Sequence, residues 1–238
     1  MFSVIFEVYP RQERFEDYLA LAKHLKPILE EVDGFVDNER FESKTRPGWV
    51  LSHSTWRDEK SVVRWRTTGE HHMVQKQGRT EILRDYHLRV GDVTADTHAP
   101  KDAPIREQRF DETEIGAAKF VTLTEITPQE GSTSASQTDL VLALGFDASR
   151  TGVIEHDVFA SIYNPGKFAL LVSWKNAKAA TLWAPAKPTI AQAVRHRHVR
   201  IVRDYGMFDR REAPQFYPDA QGRETKHPGT HTEHAGRR

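Results

Sequence analysis

A chain that repeats itself can fold only as two similar units allow, and this one repeats over nearly its whole length. Pro47-Gly48 precedes Trp56 and Trp65, and Pro165-Gly166 precedes Trp174 and Trp183, each 118 residues on. The same offset carries Phe2 to Phe120, Glu7 to Glu125, Pro10 to Pro128, Gly34 to Gly152, Phe41 to Phe159 and Ser43 to Ser161. One residue is then gained, and Arg84-Asp85-Tyr86 returns as Arg203-Asp204-Tyr205, 119 residues on. Matches spread this widely imply a duplicated domain of roughly a hundred residues, an ordinary domain size. The expected organisation is a first repeat over 1–92, a linker over 93–116 with Pro100, Pro104 and many charges, a second and degenerate repeat over 117–210, and a mobile tail over 211–238.

Within the first repeat, Phe2, Val4, Phe6 and Val8 alternate with Ser3, Ile5 and Glu7 until Pro10, the pattern of a half-buried strand. Phe15, Tyr18, Leu19, Ala22, Leu25, Leu29 and Val32 then recur at helical spacing, with Pro27 expected to bend the helix and Gly34 to stop it. FVDNERFES and GWVLSHSTW read as strands. Asp58 is placed to cap a short helix through Trp65, Thr67 to Gly69 breaks it, and His71 to Gly78 forms another turn or two. Thr80 to Val90 alternates as a final strand. The order β-α-β-β-α-β is the split βαβ pattern of a ferredoxin-like α+β fold. The second repeat follows it through KFVTLTEI, a weakened helix around Asp139 to Leu144, VIEHDVFAS, KFALLVSW, a helix over Lys175 to Trp183, and HVRIVRDYGMF.

Such a sheet carries helices on one face and needs a cover on the other. The second repeat supplies that cover, so two ferredoxin-like repeats packed sheet to sheet are expected to form a pseudo-dimer within one chain, with a homodimer possible in addition. Basic and acidic residues balance at 34 each, which gives no field toward nucleic acid or an anionic membrane. The absence of cysteine excludes disulfides, thiolate metal sites and a cysteine nucleophile, as suits a cytoplasmic protein. MFSVIFEVYP lacks the basic start and long apolar core of a signal peptide or membrane span.

The string GWVLSHSTWRDEKSVVRW, a following EHH, and RDYHLRVGDV after a helix resemble the antibiotic biosynthesis monooxygenase family. The resemblance covers nearly all of residues 1–92 and more faintly 118–210. It implies a dimeric α+β barrel and, among several activities on this fold, oxygenation of polyketide aromatics without an organic cofactor. The implied partners are a small apolar, aromatic or phenolic substrate and dioxygen, and the implied reaction needs a base. Heme binding or degradation is one alternative, and a non-catalytic binding module is another. In the heme-degrading branch a helix tryptophan lies against the porphyrin, with an asparagine on the first strand and an axial histidine ten residues after the tryptophan. Trp65 matches, but Phe6 or Glu7 and Gln75 stand at the polar places, and Thr124 or Glu125 and Ala193 stand there in the second repeat. Both polar partners are missing.

The candidate base is His71 or His72, since an imidazole near neutrality can take a proton from a phenol or enol. His53, on the third strand, is a further catalytic candidate, and Trp65 and Trp56 are the candidate substrate-binding residues. None of the three histidines recurs; Leu171, Thr189 and Ile190 take their places, which points to the first repeat as the active one. Arg84 and Arg203, which do recur, are expected to form structural ion pairs, with Glu7 and Glu125 or Glu39 and Asp157 as partners. His196-x-His198 is a close histidine pair without a third ligand nearby, so no metal site is expected.

Overall fold

The computed structural model describes residues 1–129 and 137–214, with the backbone alone over 137–139. The polar start of the second repeat's first helix and most of the expected tail lie outside the described residues. Eight strands close into one barrel: β1 (Phe2–Pro10), β2 (Phe35–Ser43), β3 (Val50–Trp56), β4 (Leu83–Asp96), β5 (Phe120–Pro128), β6 (Val153–Ser161), β7 (Phe168–Trp174) and β8 (Ala191–Gly206). Their circular order is β1-β3-β2-β6-β7-β5-β8-β4. Around the first four strands lie α1 (Phe15–Glu30), α2 (Glu59–Thr67) and α3 (Gly69–Gln77), followed by a π-helical turn at Gly78–Ile82. Around the last four, the described residues form α4 (Gln137–Ala143) and α5 (Ala177–Thr181). Each half follows β-α-β-β-α-β, the ferredoxin-like α+β arrangement. β4 is longer than its alternation indicated and runs to Asp96, after which Ala103 packs into the barrel's apolar cluster.

Closure of the barrel corrects the reading of β1 as half-buried. Its polar-looking face, Ser3, Ile5 and Glu7, is the deeply buried one, while Val4 and Phe6 are only partly covered beneath the helices. Ile5, Phe41, Leu51, Leu123, Phe159 and Leu171 fill the interior. Charges buried with them are paired, as a low-dielectric interior requires. Glu7 is held by Arg89 and Arg46, and Glu125 by Arg197 and Lys167.

The barrel's arginines are therefore Arg89 and Arg197 rather than Arg84 and Arg203. Strand register explains the correction. Phe2 lies opposite Asp92 and Glu7 opposite His87, whereas Phe120 lies opposite Arg200 and Glu125 opposite Arg195, so matching places on β4 and β8 stand 108 residues apart, not 119. Among the described residues the second half has no counterpart of α3 and the π turn, and its last strand starts correspondingly sooner. Arg84 is exposed, with its guanidinium 5.7 Å from the Tyr9 ring centroid, and Arg203 and Tyr205 lie across from Val90 and Leu88 of β4.

The halves meet reciprocally. Phe41 lies opposite Ser161 and Ser43 opposite Phe159, where β2 joins β6. Gly91 lies opposite Ile201 and Val93 opposite Val199, around Asp92 and Arg200, where β4 joins β8. Ser43 Oγ donates to Asp157 at 2.7 Å, and Ser161 Oγ donates to Glu39 at 2.8 Å.

Candidate active site

On the outer face of the first half, strand register lays two rows of side chains across five strands. One row is Arg40, Ser52, Phe6, Leu88 and Tyr205; the other is Asn38, Ser54, Val4, Val90 and Arg203. Over this floor, α1 to α3 leave a cavity of about 220 Å³. Tyr18, Leu25 and Leu29 of α1, Val62 and Trp65 of α2, and His71 and Val74 of α3 close its walls. An apolar pocket with a few convergent polar groups is the usual form of a small-molecule site.

Local sequence explains how Trp65 and His71 come together. Asp58 caps α2, its carboxylate accepting from the Ser61 amide at 2.8 Å. Thr68 is extended (φ −60°, ψ 134°) and ends the helix, so α3 starts in a new direction. His71 then stacks on Trp65 with ring centroids 4.0 Å apart and an interplanar angle of 14°. Its Nδ1 lies 3.0 Å from the Trp65 carbonyl oxygen. A carbonyl only accepts, so Nδ1 carries the proton and Nε2 keeps a lone pair. Burial lowers the imidazole pKa to about 4, against the raising effect of the Trp65 carbonyl and with a small contribution from His72. His71 is thus neutral at pH 7 and able to accept a hydrogen bond or a proton.

The other expected site residues lie elsewhere. His72 is exposed on α3 and is not part of the cavity wall. His53 faces the barrel interior, on the opposite side of the sheet, with Nε2 2.8 Å from Ser3 Oγ. Burial, then the Arg197 charge, push its pKa down to about 3. Trp56 is fully buried beside Trp65, ring centroids 6.5 Å apart, and donates from Nε1 to Ser54 at 2.9 Å. It supports the floor without lining the cavity. Gln75 and Phe6, at the places where heme-degrading relatives are expected to carry polar partners, both line it.

Sequence reasoning overlooked the polar residues of the floor. Arg40 donates to Asn38 Oδ1 at 3.3 Å, and Asn38 donates to the His53 carbonyl at 2.8 Å. The signal lay in the repeat: at an offset of 118, Arg40, Ser52 and Ser54 become Val158, Leu170 and Val172. These three are buried in the second half, where Phe146 and Trp183 pack edge to face at 5.2 Å and fill the same face. There His196 meets His198 edge-on, centroids 4.7 Å apart, and burial lowers the pKa of His196 to about 3.

The comparisons with known proteins agree with this architecture. The model of the antibiotic biosynthesis monooxygenase family matches residues 1–77. A jasmonate monooxygenase of Pyricularia oryzae is 43% identical over 224 residues, spanning 92% of this chain and 100% of the relative. Two crystal structures of aldoxime dehydratases share the fold at 12% and 9% identity, with TM-scores of 0.52 and 0.53, and each covers 84% of this chain and 80% or 79% of its own. The chain belongs to the antibiotic biosynthesis monooxygenase family. It is an oxidoreductase of the monooxygenase kind, acting on a small molecule with dioxygen.

Proposed function

We propose that the chain inserts one atom of dioxygen into a small, largely apolar molecule held between the first-half sheet and α1 to α3, with jasmonate the first candidate. The observation that carries this reading is the cavity itself: apolar over Phe6, Leu88 and Leu25, and bordered by one neutral imidazole stacked on a tryptophan. The 43% identical jasmonate monooxygenase supports the choice of substrate. Jasmonate is an apolar cyclopentanone bearing a carboxylate, and an aromatic phenol is the second candidate for the same lining.

His71 is the proposed base. Burial disfavours its cationic form, but a substrate anion formed beside it would stabilise the imidazolium in return. That anion can pass electrons to dioxygen without an organic cofactor. When a methylene becomes a carbonyl the reaction balances unaided, RH2 + O2 giving RO + H2O. When it becomes an alcohol, a two-electron donor such as a nicotinamide must be supplied.

The test is oxygen uptake and product mass with jasmonic acid, on protein stripped of metal and flavin, with and without NADPH. Product carrying one oxygen atom from labelled O2, and its loss in His71→Ala but not in His72→Ala or His53→Ala, is the expected result. Turnover of His71→Ala at the parent rate would remove His71 from the mechanism. Activity that strictly requires added flavin would remove the cofactor-free reading.

We also infer that residues 1–92 and 117–210 arose by duplication and that the second half serves as a built-in partner. The reciprocal β2–β6 and β4–β8 joins, and the matched pairs Glu7–Arg89 and Glu125–Arg197, support it.

A further inference from the structure

One edge of the cavity has a chemistry that the oxygenation itself does not use. Where β4 and β8 meet, the lining changes from aliphatic to Arg66, Arg79, Arg203, Arg210, Tyr86 and Tyr205. Glu59 is the acidic side chain of the cavity lining, and it is paired with Arg109 at 2.9 Å. Arg203 forms no salt bridge among the described residues, and its charge is felt by Asp111, which it helps to keep ionised. The arrangement is built rather than incidental, because the π-helical turn Gly78–Ile82 buries Arg79 at the edge of the sheet, and such turns recur at functional sites.

Tyr86 is the informative group. Its phenolic oxygen accepts from Arg79 Nη1 at 3.0 Å and from Arg210 Nη1 at 2.5 Å. Both lone pairs are thereby used, and the O–H is left to donate to a third atom. Tyr86 is buried, its ring packs edge-on to Phe6 at 5.7 Å, and it faces the cavity. We propose that this edge is an anion subsite: Tyr86 seats the carboxylate of an apolar acid whose body lies over Phe6 and Leu88, and Arg203, opposite Val90 in the same cavity lining, adds a favourable charge. Resting as it does on the reading of the cavity as the substrate site, the proposal adds that the substrate binds as an anion and names the end at which its charge lies.

Calorimetric titration of the whole chain with jasmonic acid and with methyl jasmonate tests it. Hydrogen bonds to a charged group should favour the acid over the ester by on the order of ten- to a hundredfold. Tyr86→Phe keeps the ring against Phe6 and should weaken the acid by roughly tenfold while leaving the ester nearly unchanged. Arg203→Gln, at a less buried position, should do the same if Tyr86→Phe perturbs the fold. Ester bound as tightly as acid, or equal losses for both ligands in the variants, would overturn the subsite. If neither form of jasmonate binds, the choice of jasmonate fails, and decanoate against methyl decanoate decides the subsite by the same comparison.

Discussion

Arg89→Met probes the interior charge that closes the barrel, and the size of its effect follows from the partners that Arg89 holds. Arg89 is fully buried, binds Glu7, donates to Ser173 Oγ at 2.7 Å and lies 3.5 Å from Glu155. Methionine fills similar space without charge. Glu7 then keeps Arg46 as its remaining counter-charge. Stranding one member of a buried pair costs about 3–5 kcal/mol, and with Arg46 in place the lower end applies, about 3 kcal/mol. For a domain of this length that lowers Tm by about 6–12 °C. The pH dependence gives a second, independent reading. Burial alone would raise the Glu7 pKa, but Arg89 and then Arg46 outweigh it and hold the carboxyl below its usual range. In the parent protein the contribution of Glu7 is present above the unfolded carboxylate pKa and lost as pH falls through the lowered folded value. In Arg89→Met burial gains on the remaining charge, the folded pKa rises, and acidification relieves the stranded carboxylate. The stability gap between parent and variant should therefore narrow from pH 7 to pH 4, followed by thermal melting with tryptophan fluorescence. Arg197→Met should behave alike, since Glu125 keeps Lys167 at 2.7 Å. A Tm change under about 2 °C, or a gap that stays constant with pH, would refute the reasoning.

Asp58→Ala removes the α2 cap and should cost about 1 kcal/mol in chemical denaturation, with Trp65 fluorescence shifting in the native state. Gly34→Ala should destabilise more, because φ is +89° and an added Cβ would stand 2.0 Å from Ser61 Oγ; circular dichroism melting checks it. Turnover should be level from pH 8 to pH 5 and fall as pH drops through about 4, where His71 becomes imidazolium and loses its lone pair; a profile centred near 6.5 would indicate a different base. Hemin titration should give no shifted Soret band, since Gln75 stands where the axial histidine of the heme-degrading relatives is expected and Phe6 where their strand asparagine is.

Much of this protein was legible in the order of its residues. Alternation and helical spacing are local consequences of backbone geometry, so β1, α1, the capped α2 and the order of strands could be read directly. The repeat added a comparison between halves, in which Arg40, Ser52 and Ser54 stand against Val158, Leu170 and Val172, but strand alternation alone could not say which face of the sheet lines a cavity. Tertiary structure decided everything that depends on which strands are neighbours. The residues of β1 that looked solvent-facing became interior because the barrel closes over them. The recurring Arg-Asp-Tyr segments proved to occupy different places, since sequence similarity cannot register an eleven-residue shift in strand pairing. His53 and His71 looked equivalent as imidazoles until the sheet put them on opposite faces. Tyr86 and Arg203, 117 residues apart in the chain, line one cavity only because β4 pairs with β8. Local chemistry sets what each segment becomes, and long-range register sets which side chains meet.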